Sequence, residues 1–191
     1  MDKLKKRILA ESDVSDGDII RVDMFLNHCL DTDLIEEIGK QLAKRFKNER
    51  PTKVLTAESS GIPIAIFVAH TLGIPAVYAK KYQTGYIDPD VYSTEVHSFY
   101  MEKSFTLRVS KRYLDEDDNV LLIDDILSSG QATLGLVDLV SQAGAEVAGL
   151  GVAIEKANKE GGHLLRQMGI RVESLVVVER VSDGQIILAD G

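Results

Sequence analysis

Residues 120–133, VLLIDDILSSGQAT, decide how this chain is read. Four apolar residues run into two adjacent carboxylates, Asp124 and Asp125. A loop of small residues with one glycine follows, and then the start of a helical pattern. A short continuous apolar run bounded by turn residues reads as a buried strand, so the stretch is strand, loop, helix. Such a junction aims backbone N–H groups and a helix N-terminus at one point, where an anion is stabilised. A plain solvated turn, with both aspartates facing water, fits the same residues. No GxxxxGK[ST] and no GxGxxG occurs, which excludes a Walker loop and the dinucleotide fingerprint. A receiver domain carries its acidic pair near the amino terminus, whereas here only about a third of the chain follows Asp125.

Working outward, ATLGLVDLVSQAG (132–144) predicts a helix with Gly144 at its end, EVAGLGVAIEK (146–156) a strand, and VESLVVVERV (172–181) another strand. Upstream, KVLTAE (53–58) predicts a buried strand and turn, IPIAIFVAHTLG (62–73) a helix ended by Gly73, and PAVYAKK (75–81) a strand. Two strand–helix–strand units argue for an α/β fold, a mostly parallel sheet flanked by helices with active residues at the carboxyl ends of its strands. Before them, residues 33–47 place Leu34, Ile35, Ile38, Leu42 and Phe46 at helical spacing, an amphipathic helix. Between the units lies a polar segment, residues 80–118. Alternation over 96–110 predicts a hairpin or paired strands, leaving 83–95 as a mobile loop. A loop of that length reads as a lid or as a solvated excursion.

The length, 191 residues with 45% hydrophobic content, suits one domain, 1–191, with a substantial core. Thirty acidic against 22 basic residues, net charge −8 and a pI near 5.0, give no electrostatic reason to bind nucleic acid. Cys29 is the single cysteine and forms no internal disulfide; MDKLKKRILAESD lacks the apolar run of a signal peptide, so a cytoplasmic protein is expected. The apolar run IPIAIFVA falls far short of the roughly 20 residues that span a bilayer, so no membrane partner is expected.

The run from Val120 to Ala132 resembles the thirteen-residue phosphoribosyl pyrophosphate signature of the type I phosphoribosyltransferase family. The resemblance implies that family's fold, with a small hood from about 1–32 and 153–191 and a mobile loop. It also implies that Ser128, Ser129, Gly130, Gln131, Ala132 and Thr133 hold the 5′-phosphate while Asp124 and Asp125 face the ribose hydroxyls. The chemistry agrees: small side chains let backbone donors approach a phosphate, and carboxylates favour positive charge developing on the sugar. Hypoxanthine–guanine members usually carry an Asp where this chain has Ser128, and that carboxylate handles the purine N7 proton. Its absence points toward the adenine, orotate and xanthine branches.

By the same resemblance, Glu58, Ser59, Ser60 and Gly61 form a pyrophosphate loop, often with a non-proline cis peptide, and Lys80 and Lys81 reach the diphosphate. Standing alone, Ser59 or Ser60 reads equally as a helix cap, and the paired lysines as a solvated feature. In length and segment order the chain resembles the bacterial members that use xanthine, which implies that Ile20, Asn27 and Lys156 line the purine site. Ile20 would cover a ring face, Asn27 pair with ring groups, and Lys156 donate to an exocyclic oxygen. Core, cap and solvated roles are the ordinary readings of those three. The implied reaction joins xanthine to phosphoribosyl pyrophosphate, with Mg²⁺ held by substrate, in a homodimer. The alternatives are a guanine or hypoxanthine enzyme, or a regulator built on the same fold, which normally carries an added DNA-binding domain.

Overall fold

A computed structural model describes residues 1–15, 19–81, 89–98, 103–182 and 184–189. In chain order it contains α1 (Asp2–Glu11), β1 (Asp13–Ser15), β2 (Ile19–Arg21), a π-helical turn (Asp23–Asn27), α2 (Thr32–Phe46), β3 (Lys53–Ala57), α3 (Ile62–Leu72), β4 (Ala76–Ala79), β5 (Val91–Ser98) and β6 (Lys103–Ser110). β7 (Asn119–Leu127), α4 (Gln131–Gln142), β8 (Glu146–Lys156), α5 (Gly161–Gln167), β9 (Val172–Ser182) and β10 (Gln185–Leu188) complete it.

Local chemistry explains the helices. Asp31 caps α2 by accepting from Leu34 N at 3.0 Å, and Lys44 and Arg45 sit in its last turn, where cations offset the helix dipole. α3 has a proline in its first turn and ends on Gly73 at φ 71°, left-handed backbone that glycine adopts at little cost. α2 and α3 approach closely at Gly39, where a Cβ would stand 2.4 Å from Phe67 Cβ.

The six-stranded sheet has the order β10-β9-β8-β7-β3-β4; only β10 runs antiparallel to its neighbour. From β3 the chain crosses through α3 outward to β4, and from β7 through α4 the other way to β8. The winding direction therefore reverses between β3 and β7, and the crevice at the carboxyl ends of those two strands is where such sheets bind ligands. Side chains of β7 alternate between the faces. Leu121 and Ile123 join a core under α1, α2 and α3, whereas Val120 and Leu122 join one under α4 and the β5–β6 hairpin. Phe46, fully buried, lies against Gly149 and Gly151 of β8; truncating it to Ala would cost about 3–5 kcal/mol.

Three elements differ from expectation. β7 runs three residues past Asp124, so the two aspartates lie within the strand, not at its end. The reason is its asymmetric pairing: β3 leaves it after Leu55↔Leu122, while β8 continues alongside to Leu127↔Glu155. The hairpin begins at Val91, not 96, with Val91 paired to Ser110; of the expected loop, residues 83–88 lie outside the described residues. The first helix starts at Asp2, where Leu4 and Ile8, one helical turn apart, are both fully buried. In the amino-terminal part of the expected hood, α1, β1, β2 and the π-helical turn pack together, with Ile20, Val22, Phe25 and Leu26 in the α2–α3 core. Among the described residues no helix is long and apolar enough to cross a membrane.

Candidate active site

Asp124 and Asp125 stand where β3 peels away from β7. Asp125 is 9% exposed and Asp124 is half-buried; the Asp125 amide donates to Asp124 Oδ1 at 3.0 Å. Burial pushes the Asp124 carboxyl well above the usual carboxylate range, the neighbouring Asp125 raises it further, and the charge of Lys81 pulls the other way. A cation or a sugar gaining positive charge beside Asp124 would favour its ionised form.

Downstream, Ser128 to Thr133 and Asp124 line a cleft of about 110 Å³. Gly130 caps α4 at φ 77°, which turns the chain from strand into helix so that the first amides of α4 border the cleft. Thr133 is 1% exposed, below the loop. The loop is closed from outside by α5: Gly161 N donates to Ser128 O at 3.0 Å, and a Cβ on Gly161 would lie 2.4 Å from that oxygen and 2.6 Å from Gly130 N.

The second loop faces the first across the crevice. The Glu58–Ser59 peptide is cis. Gly61 is pressed so closely that a Cβ would stand 2.2 Å from Thr56 Oγ1 and 3.2 Å from Asp124 Oδ1, which puts this turn against the acid pair. Neither Ser59 nor Ser60 caps α3 by its side chain, which excludes the cap reading. Lys81 N donates to the Glu58 carboxylate, and its ammonium lies 5.0 Å from the Phe105 ring centroid. Lys80 exchanges two backbone hydrogen bonds with Arg108, at 2.9 and 3.0 Å, docking β6 onto the end of β4. Its ammonium lies 5.9 Å from the centroid of the Tyr78 ring. The structure thus brings together the two loops, the acid pair and Lys81.

The three purine candidates are placed differently. Ile20 is 7% exposed and belongs to the apolar core of the hood, so its ordinary reading holds at least in part. Asn27 ends the π-helical turn; Asp31, not Asn27, caps α2, and Asn27 Oδ1 is buried with no hydrogen-bond partner among the described residues. Such an atom costs free energy until a donor reaches it. Lys156, 7% exposed, closes β8, and its carbonyl accepts from Lys159 N at 3.0 Å.

Sequence reasoning missed Thr56, Glu155, Gly161, Gly162 and Arg166. Glu155 is 5% exposed. Burial alone would raise its carboxyl, but hydrogen bonds from Arg166 and Ser174 and the Arg166 charge hold it below the usual range. The signal available was the Gly161–Gly162 pair, two glycines where a helix begins.

Comparison with known proteins gives one family. Residues 22–182 match the phosphoribosyl transferase domain. A xanthine phosphoribosyltransferase of Clostridium novyi (strain NT) is 46% identical over 187 residues, covering 98% of each chain. One of Bacillus cytotoxicus is 46% identical over 186 residues, covering 97% of this chain and 94% of the relative. Among solved structures, adenine phosphoribosyltransferase of Trypanosoma brucei superposes with a TM-score of 0.77 at 20% identity, over 95% of this chain and 82% of that one. The Saccharomyces cerevisiae adenine phosphoribosyltransferase gives 0.71 at 19%, over 92% and 99%. At that identity the likeness carries the fold alone.

Proposed function

The chain belongs to the phosphoribosyl transferase family, and from that premise we propose that it converts xanthine and 5-phosphoribosyl 1-pyrophosphate to xanthosine 5′-monophosphate and pyrophosphate. The observation that carries the transfer chemistry is the convergence of two tight loops and a buried acid pair on the crevice between β3 and β7. The choice of xanthine rests on the relatives that align over nearly the whole chain.

In this reading the amides of residues 128–132 and the start of α4, with Thr133 behind them, hold the 5′-phosphate. Asp124 and Asp125 accept from the ribose hydroxyls. As the bond at the sugar C1 stretches toward an oxocarbenium-like transition state, positive charge develops beside the two carboxylates, and their attraction grows with it. The turn of Glu58, Ser59, Ser60 and Gly61, with Lys80 and Lys81, receives the departing pyrophosphate. Asn27 and Lys156 address the purine, and Ile20 supports the hood above it.

The hard oxygens of Asp124 and Asp125, the first on a carboxyl whose ionised form a cation would favour, suit Mg²⁺ carried in on the substrate. Mg²⁺ there supplies charge neutralisation for the diphosphate leaving group. A cytoplasmic homodimer belongs to the same proposal; sedimentation of the purified protein at a monomer mass would remove the dimer.

The test is an assay of the purified protein with phosphoribosyl pyrophosphate, Mg²⁺ and, in turn, xanthine, guanine, hypoxanthine and adenine. Xanthine should give the highest kcat/KM. A preference for guanine or hypoxanthine reassigns the base, and turnover with none of the four overturns the reading.

A further inference from the structure

We propose that Glu155 and Arg166 are positioning residues for the 5′-phosphate loop, acting through the start of α5; the inference rests on the phosphoribosyl-transfer reading above. Arg166 meets Glu155 with two parallel bonds, Nη1 to Oε1 at 2.6 Å and Nη2 to Oε2 at 2.7 Å, and Ser174 Oγ from β9 donates to the same carboxylate. The guanidinium fork fixes direction as well as distance. The pair therefore ties α5 to two neighbouring strands of the sheet.

The two glycines at the head of α5 show what that tie accomplishes. A Cβ on Gly162 would stand 2.0 Å from Glu155 Oε1 and 2.6 Å from Arg166 Nη1, so the ion pair bears directly on the helix start. On Gly161, one residue earlier, the nearest atoms belong instead to Ser128, Ser129 and Gly130. The head of α5 is wedged between the ion pair and the phosphate loop. It is linked to that loop through the Gly161 amide, which donates to Ser128 O. The distance from Glu155 to the loop is set by two residues without side chains.

Arg166→Met removes the fork and leaves a hydrophobic stem of similar length. Its binding of three ligands, each with Mg²⁺, is compared with wild type by calorimetry: phosphoribosyl pyrophosphate, xanthosine 5′-monophosphate and free pyrophosphate. The first two carry a 5′-phosphate and should weaken together by about tenfold, a typical coupling; pyrophosphate, which uses the loop at 58–61, should be unaffected. Arg166→Lys keeps the charge without the fork and should show the same pattern at smaller size, which serves equally if the Met variant folds poorly. Unchanged binding of all three, or equal weakening of all three, overturns the inference alone. Wild-type protein that binds none of them overturns the functional reading and the inference with it.

Discussion

The crevice between β3 and β7 and the amino-terminal segment at residues 1–31 are built by different means. Around its acid pair the crevice is built largely from backbone: tight turns, a helix start and glycines so hemmed in that no Cβ fits, mounted on strands buried on both faces. The amino-terminal segment offers side chains, with Asn27 at the end of a π-helical turn and Ile20 in a three-residue strand. In the proposed reading the 5′-phosphate of phosphoribosyl pyrophosphate is met chiefly by backbone donors, which mutation of a side chain does not remove. In the same reading the base is met by side chains, and side chains on short irregular elements can be exchanged without disturbing the sheet.

Five variants break or sharpen that contrast. The largest effect belongs to the acid pair. Replacing Asp124 and Asp125 together with Asn should lower kcat by about 10²–10³, the scale for groups that stabilise transition-state charge, with the circular-dichroism spectrum unchanged. Turnover near wild type would leave the crevice with binding only.

Gly130→Val comes next. It forces a β-branched residue to φ 77° with its Cβ 2.9 Å from Gly161 Cα. Affinity for phosphoribosyl pyrophosphate should fall about tenfold or more, the worth of a charge-assisted hydrogen bond. If calorimetry finds the affinity intact, residues 128–132 are not the cradle and backbone recognition loses its main support.

On the hood side, Asn27→Ala should cut kcat/KM for xanthine more than for hypoxanthine, by about 1–3 kcal/mol of discrimination. Lys156→Ala should weaken both bases together, since both carry the 6-oxo group. Equal losses in Asn27→Ala would mean that the hood does not read position 2 of the purine.

The smallest effect is on stability, and its sign follows from Asp124. A carboxyl raised in the folded protein holds its proton more tightly there than in the unfolded chain. That contribution is complete below the ordinary carboxylate range and is lost as pH climbs through the raised value. Asp124→Asn alone should therefore melt higher than wild type at pH 7, the difference vanishing in acid. A variant that melts lower at pH 7 would show that Asp124 supports the fold through contacts that outweigh its burial.

Much of the crevice was legible because its parts are local. The strand, loop and helix of 120–144 are continuous in sequence, and their periodicities and terminal glycines survive any arrangement of the rest. β8 agrees with its expected bounds, and α2 and α3 to within a residue. Less of the hood was legible: α1 shows only two core residues, Leu4 and Ile8, too few for a helical stripe to stand out. The length of β7 was hidden too, because Ile126 and Leu127 remain in the strand only through their pairing with β8. Arg166 looked like any surface cation; nothing nearby in sequence marks a partner eleven residues away.

The sequence by itself determined the α/β class, α2, α3, α4 and the inner strands, and its resemblance to known signatures marked the loop and the family. The elements follow from interactions within a few residues: apolar periodicity, capping and the conformational freedom of glycine. Tertiary structure alone decided that β3 and β7 are neighbours, so that Gly61 meets Asp124 and two loops separated by more than sixty residues share one crevice. It also decided that Gly161 closes the loop at 128–130 and that Asn27 buries an oxygen with no partner among the described residues. Each of these depends on strand order and on packing between segments far apart in the chain, and residue spacing carries no record of either.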